Sequence, residues 1–284
     1  MEMTRETAIS QFWRAFRQSP SSVVGAAIVG LYVLTAVLGP HLTPYDPAAI
    51  NIMATLSPPS KQHLFGTDAL GRDILTRVVH ATRVDLLIGV SAVVVALAVG
   101  TVIGGVAGYY GGVVDEVIMR IMDVIQSFPA FILALGVVAV LEPGVMNIVA
   151  VIALINVPSY ARVLRAELLS ARERAYSEAA RIAGNSNMRI LFRHLLPNCM
   201  TPVFVVASIN VGWAILITAG LSFLGLGVQP PDAEWGQMIS TGTQEILMGA
   251  WWTSVFPGLA LLLVVMGFNL LGDGLQVVFD PRRR

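Results

Sequence analysis

Side chains that could do chemistry are few in this sequence and lie far apart along it. Its four histidines are His41, His63, His80 and His194. They lack the His-Glu-x-x-His spacing of a zinc hydrolase, and no Gly-x-Ser-x-Gly turn presents a nucleophilic serine. A Walker loop for phosphate places lysine directly after glycine, whereas the single lysine, Lys61, follows Ser60. We therefore expect no catalytic residue, no metal and no cofactor in this chain.

Polar residues inside long apolar segments are the remaining candidates for function, because they are costly in lipid. Asn210, Thr218 and Ser222 lie deep in one such segment, and we expect them to line a path for a polar solute. The alternative is that these side chains form hydrogen bonds between helices. Asp123 begins another apolar segment, where pairing with Arg120 is the corresponding alternative.

The composition is typical of an integral membrane protein. Of the 284 residues, 55% are apolar and 13% are charged, whereas soluble domains carry about 25% charged residues. The 18 basic and 18 acidic side chains cancel, so no net field attracts nucleic acid. We therefore expect membrane lipid, and no nucleic acid, among the partners.

Uncharged segments long enough to cross a bilayer define the predicted fold. About 20 apolar helical residues span the hydrocarbon core, and the backbone must satisfy its own hydrogen bonds there. Six segments qualify, at 18–45, 86–114, 124–141, 143–161, 195–231 and 246–272. The sequence thus predicts an all-α polytopic membrane protein with six transmembrane helices.

The distribution of basic residues predicts the orientation. With the N-terminus inside, 14 of the 18 basic residues fall in cytoplasmic segments, and the external ones are Lys61, Arg72, Arg77 and Arg83. Both termini and the loop after the fourth span are therefore expected in the cytoplasm. We expect a multi-pass protein of a bacterial cytoplasmic membrane.

The predicted spans divide the chain into five parts. These are a cytoplasmic amphipathic segment at 1–21, a first transmembrane helix at 22–39, an external loop at 40–83, a five-helix core at 84–275 and a cytoplasmic tail at 276–284. Ile9, Phe12, Trp13 and Phe16 recur at helical spacing in the first part, typical of a helix lying among lipid headgroups.

Glycines in the second span recur every four residues, at Gly100, Gly104, Gly108 and Gly112. This spacing predicts close approach of a neighbouring helix.

The longest cytoplasmic segment contains a short helix with one face of small residues. Tyr176, Ala179, Ala180 and Ala183 share that face, with Glu178 at its edge. Gly184 is suited to the position that ends a helix in the left-handed conformation, and a second helical stretch is expected from 188 to 196, limited by Pro197. Such a narrow face fits a groove on a partner protein.

The run Glu178-Ala179-Ala180, followed by Gly184 and then Leu196-Pro197, resembles the EAA loop of bacterial ABC importer permeases. His194 departs from the isoleucine of that pattern, as in the peptide and nickel branch. Three further stretches resemble this branch in order along the chain: Phe65-Gly66-Thr67-Asp68 with Gly71-Arg72-Asp73, Ser127-Phe128-Pro129, and Leu221-Ser222-Phe223-Leu224-Gly225-Leu226-Gly227 followed by Pro230-Pro231 and Trp235-Gly236. The chain is similar to the C-type permeases of dipeptide and oligopeptide importers.

This resemblance implies the transmembrane domain of a type I ABC importer, in which spans two to six form the transport core. The implied complex contains a second, homologous permease, two cytoplasmic ATPases that bind ATP and Mg, and an external substrate-binding protein. The coupling residues carried over are Tyr176, Glu178, Ala179, Ala180, Ala183, Gly184, Leu196 and Pro197.

An external mouth is expected at 65–73, formed by Gly66, Thr67, Asp68, Gly71, Arg72 and Asp73. Local hydrogen bonds within this segment and direct contact with the binding protein are both open interpretations.

Peptides are the expected substrates, with nickel, glutathione or another small solute as alternatives. A stand-alone secondary transporter is a further alternative, although no predicted span carries an acid near its centre.

The topology is testable by labelling single cysteines in a background without Cys199. A membrane-impermeant thiol reagent should react with Lys61→Cys in intact cells, and with Ser186→Cys only after permeabilisation. Labelling of Ser186→Cys from outside would contradict the orientation.

Overall fold

The computed structural model describes residues 8–142 and 144–279, and its regular structure in these ranges is helical. The helices are α1 Ala8–Gln18, α2 Pro20–Leu42, α3 Ile74–Tyr110, α4 Gly112–Gln126, α5 Ala130–Val140, α6 Val145–Ala171, α7 Ala175–Ile182, α8 Asn187–Phe223, α9 Trp235–Ile246 and α10 Trp252–Phe279. Five of them, α2, α3, α6, α8 and α10, are long and apolar enough to cross a membrane. The first residues of the predicted amphipathic segment, 1–7, and the end of the predicted cytoplasmic tail, 280–284, lie outside the described ranges.

The packing of α3 against α6 rests on three glycines of α3. A Cβ at Gly100 would lie 2.9 Å from the carbonyl oxygen of Val157, and one at Gly108 would lie 3.0 Å from that of Arg165. At Gly104 a Cβ would overlap the backbone of Ala161. The predicted close approach is confirmed for these glycines.

Gly112 does not belong to this contact. The α3 helix ends at Tyr110, and Gly111 and Gly112 have positive φ values of 67° and 56°. The prediction that Gly112 extends the packing surface was therefore wrong, because the chain turns before reaching it.

The glycine contacts also show that α3 and α6 run parallel, since residue numbers rise along both helices from one contact to the next. The chain between Tyr110 and Val145 must therefore return once across the molecule. Only α4 and α5 lie in that interval, so together they make a single crossing. With the five long helices this gives the predicted total of six.

The third crossing is not the continuous helix predicted at 124–141. It is a bent pair, in which α4 and α5 meet at 83°. The break is at Ser127-Phe128-Pro129, because proline has no N–H for the helix and disfavours helical geometry in the residue before it. Pro129 instead begins α5, where its carbonyl oxygen accepts the N–H of Leu133 at 3.0 Å.

Ion pairs attach α4 to the end of α6. Arg165 binds both carboxylate oxygens of Asp115, and Arg162 lies 2.6 Å from Asp123. The partner of Asp123 is therefore Arg162 and not the Arg120 considered from sequence. Both side chains of the Arg162–Asp123 pair are about half exposed, so this bond adds little stability.

The first span, α2, packs antiparallel against the last, α10. A Cβ at Gly25 would overlap the backbone at Leu271, and one at Gly274 would overlap Ser22. Nearer the other end, the Tyr32 hydroxyl donates to the Ala260 carbonyl at 2.8 Å. The start of α2 and the end of α10 therefore lie at the same end of the molecule.

The second span begins ten residues earlier than the boundary at 84. Asp73 caps α3, since its Oδ2 accepts the N–H of Thr76 at 2.8 Å. Helix α9, which lies almost wholly between the predicted apolar segments 195–231 and 246–272, was also not predicted.

Pro197 does not end the helix that precedes it. The chain continues from Asn187 to Phe223 as one 37-residue helix, with a π-helical stretch at Ile190–Leu195 directly before Pro197. That wider turn changes the hydrogen-bond register just where proline cannot donate an N–H.

Gly104→Ala should destabilise the protein by about 1–3 kcal/mol, because the new methyl group overlaps the backbone of Ala161. Gly105→Ala is the matched control, since a Cβ there meets nothing within 4 Å. Thermal unfolding in detergent would compare them. Equal melting temperatures for the two variants would contradict the assigned contact.

Candidate coupling loop and external mouth

Helix α7 lies in the segment between α6 and α8 and ends in a Schellman motif. The N–H of Gly184 donates to the Arg181 carbonyl at 3.0 Å, and that of Asn185 donates to the Ala180 carbonyl at 3.3 Å. Gly184 has φ +78° with open space around it, so the backbone conformation alone requires glycine there. The predicted helix-ending, left-handed conformation of Gly184 is confirmed.

The two faces of α7 differ from the predicted arrangement. Ala180 is only 8% exposed and packs against the chain's own core, together with Ser177 at 1%. Ala180 is therefore not part of a surface open to a partner, and its expected place on the docking face was wrong. The orientation of an eight-residue helix depends on its tertiary contacts, which the sequence pattern does not contain.

The outward face of α7 is apolar and contains a residue that the sequence analysis missed. Tyr176, Ala179 and Ala183 are exposed as predicted, with Glu178 beside them. Ile182 is 81% exposed and follows Ala179 by three residues, which places it on the same side of the helix. We call Tyr176, Ala179, Ile182 and Ala183 the α7 face. The i, i+3 spacing from Ala179 was the signal for Ile182.

The remaining loop residues join α7 to the spans. The Tyr109 hydroxyl, at the end of α3, donates to the Asn187 side chain at 2.8 Å. Leu196 and Pro197 lie within α8, half-buried and exposed, respectively, and they continue the helix. Both neighbours of the loop are therefore spans, α6 before it and α8 after it.

The predicted mouth segment, 65–73, lies at the opposite end of the molecule and is held by its own hydrogen bonds. Oδ1 of Asp68 accepts the N–H groups of Leu70 and Arg72, both at 2.9 Å, and Oδ2 accepts Nε of Arg72 at 2.7 Å. Gly66 and Gly71 have φ values of 75° and 71°, which suit the tight turns. The structure therefore shows the local hydrogen bonding that was one of the two interpretations.

Long-range bonds fix this segment to α9 and α10. The Trp252 indole donates to the Thr67 carbonyl at 3.0 Å, and the Ala69 N–H donates to Glu245 at 3.0 Å. Thr67, Asp68 and Asp73 are each at most 7% exposed. Burial raises the pKa of Glu245, an effect that the Ala69 hydrogen bond partly offsets. The mouth residues thus form a packed cap.

The three proposed path residues form hydrogen bonds within the described chain. Thr218 is fully buried and donates to the Ala214 carbonyl at 2.9 Å, and Ser222, 2% exposed, accepts the Val228 N–H at 3.2 Å. Asn210 is half-buried and donates to the Tyr160 hydroxyl at 3.1 Å. Thr218 and Ser222 therefore do not line a path within this chain, and internal hydrogen bonding is what the structure shows for all three.

Comparison with family models decides the class. The model described as binding-protein-dependent transport system inner membrane component matches residues 100–284, and the N-terminal TM domain of oligopeptide transport permease C matches 7–59. The chain belongs to this permease family. The match includes the segment between α6 and α8 and every span from α6 onward.

Curated permeases are similar over nearly their whole length. A dipeptide transport system permease of Alkalihalophilus pseudofirmus is 43% identical over 281 residues, 98% of this chain and 92% of that one. A probable D,D-dipeptide permease of Escherichia coli is 39% identical, covering 99% and 94%. A glutathione transport permease of Pectobacterium atrosepticum is 40% identical, covering 96% and 90%.

The fold of the permease core is also found in a solved structure. A chain of the MetNI methionine ABC transporter, in an inward-facing conformation, superposes with a TM-score of 0.51. It is 20% identical and covers 73% of this permease and 97% of that chain. This likeness shows the type I importer fold predicted from sequence.

Asp73→Ala should lower the permease's stability by about 0.5–2 kcal/mol, because it removes the α3 cap. It also removes the contact with His63, whose Nδ1 lies 2.9 Å from Oδ1. Asp73→Asn keeps an oxygen that can accept the Thr76 N–H and is the control. Thermal unfolding measures both, and an Asp73→Ala protein as stable as wild type would contradict the capping role.

Proposed function

We propose that this permease is a membrane subunit of an ATP-driven importer for dipeptides or other short peptides. The observation that carries the substrate class is the near full-length similarity to permeases named for dipeptides. A chain without a Walker loop must obtain its energy elsewhere, so we assign ATP and Mg to two partner ATPases. A second permease and an external binding protein complete the proposed complex.

The proposed coupling surface is the α7 face. Its large exposed residue, Ile182, has an 81% exposed side chain, which is unfavourable in water and suited to a groove on an ATPase. Glu178 borders the face and can pair with a basic side chain there. Ala180 takes a different role from the one first expected, since it holds α7 against the permease itself.

The connections of α7 suggest how a displacement would spread. Three residues separate it from α6 and four from α8, so ATPase movement at the α7 face would act directly on two spans. Helix α8 is about 55 Å long at 37 residues, and α6 contacts α3 backbone to backbone at Gly104. Such a unit is able to move as a body and alternate access between the two sides.

In this proposal the α7 end faces the cytoplasm and the mouth cap faces outward. The arginine-rich loop and the shared end of α2 and α10 support this orientation. The membrane would then be the bacterial cytoplasmic membrane, with both termini inside.

Glutathione is a second candidate substrate, favoured by the 40% identical permease that carries its name. Uptake of a labelled dipeptide by cells with and without this chain tests the main proposal. Competition by unlabelled glutathione separates the two candidates. Unchanged dipeptide uptake without the chain would contradict the peptide assignment.

Ala179→Glu should weaken ATPase binding about thirtyfold, or by about 2 kcal/mol, because it places a charge in the middle of the α7 face. Membrane insertion should be unaffected, since Ala179 is exposed. The measurements are ATPase co-purification and solute uptake.

Ala49→Glu is the matched control, because it introduces the same side chain at an exposed alanine of the opposite end. It should retain the ATPases. Wild-type ATPase content and uptake in Ala179→Glu would rule out the α7 face as the coupling surface.

A further inference from the structure

Two acidic side chains meet inside the permease between α3 and the start of α9. Asp85 and Glu234 are both 0% exposed. Oδ2 of Asp85 accepts the N–H of Trp235 at 3.2 Å, which holds the Asp85 carboxyl group beside the residue that follows Glu234. Two carboxyl groups can form a hydrogen bond with each other only when one of them carries a proton, since a carboxylate can only accept.

The donors around the pair are unevenly distributed. Glu234 caps α9, where Oε1 accepts the N–H of Gly236 at 2.9 Å and Oε2 accepts that of Gln237 at 2.7 Å. The Ser222 hydroxyl is a further partner of Glu234. Oδ1 of Asp85, by contrast, is buried with no N–H or hydroxyl donor in the described structure.

The described elements that pack around the two acidic side chains supply no positive charge to compensate them. From α8 come the uncharged Thr218 and Ser222, and from α2 the ring of Tyr32, which lies 5.8 Å from that of Trp235. On α3, Arg77 is engaged by the Pro47 carbonyl and Asp68. The other neighbouring charges, Arg83 and Asp232, are exposed, and Glu245 lies at the far end of α9.

We propose that Asp85 and Glu234 form a proton-binding site, in which one proton resides on Oδ1 of Asp85 and is donated to the Glu234 carboxylate. A proton from the solvent forms the O–H bond, and the pair keeps a single negative charge. This arrangement gives Oδ1 its missing partner and leaves the charge on Glu234, which has the N–H donors. The site is a property of the folded chain and does not depend on the transported solute.

The same placement follows from the electrostatics of burial. Two adjacent carboxylates in an apolar site repel, so one of them retains a proton. Burial raises the pKa of Glu234, while hydrogen bonds from Gln237, Gly236, Ser222 and Asp85 oppose the rise. These bonds favour the charged form on Glu234 and therefore the neutral form on Asp85.

The bound proton forms a hydrogen bond that connects α9 to α3. The folded protein retains this proton at pH values at which the carboxyl groups of an unfolded chain have released their protons. The stabilisation is therefore complete in acid and declines as the pH rises. Asp85→Asn imitates the protonated state, since its amide can donate to Glu234 while its oxygen accepts the Trp235 N–H.

Infrared spectroscopy of the purified permease in lipid tests the site directly. The wild type should show the C=O band of a protonated carboxylic acid at neutral pH, shifted in deuterated water. Asp85→Asn should lose this band, and Asp232→Asn, a change at an exposed acid, should keep it. Absence of the band from the wild type at neutral pH, or its persistence in Asp85→Asn, would overturn the proposal.

Thermal unfolding across the alkaline range gives a second measurement. The melting temperature of the wild type should fall relative to that of Asp85→Asn as the pH rises. Parallel pH profiles for the two proteins would overturn the proposal.

Discussion

The backbone contact between α3 and α6 at Gly104 constrains the rest of this permease. Because a methyl group does not fit there, the two helices contact each other backbone to backbone. Their parallel course then requires a single return crossing between them, which the α4–α5 pair supplies. The same contact brings the end of α6 beside the end of α3, where the Tyr109 hydroxyl donates to Asn187 at the start of α8. The close contact at Gly104 thus affects the course of the chain, the number of spans and the position of the segment between α6 and α8.

The spans could be predicted because lipid imposes a local rule, namely an uncharged apolar stretch of sufficient length. The close contacts at Gly100, Gly104 and Gly108 and the left-handed conformation of Gly184 also follow from local patterns, and these were predicted correctly. The bend at Pro129 was missed because the span was predicted from the apolar character of the whole stretch 124–141, and one proline changes that average little. The sequence predicted that 65–73 forms a distinct segment. The hydrogen bond from Trp252 that holds this segment in place joins residues far apart in sequence and was not predicted.

Three further features depend wholly on tertiary structure. Ala180 and Ala179 are adjacent and identical, yet one is buried and the other exposed, because α7 packs on the permease along one side. Helix α9 has its first turn inside the protein, with Trp235 fully buried and Gly236 against the backbone of Ala219. Asp85 and Glu234 lie on segments about 150 residues apart, and their pairing has no signature in either segment alone.

The shortness of α5 makes the third crossing a composite one. With 11 residues α5 rises about 16 Å, roughly half the hydrocarbon thickness of a bilayer. Helix α4 meets it at 83°, so the rest of the return from the end of α3 to the start of α6 comes from α4 and the connecting residues. The joint lies at Ser127-Phe128-Pro129, where the helical hydrogen-bond series is already interrupted. A change in the angle between the two pieces would therefore break no bond of a continuous helix.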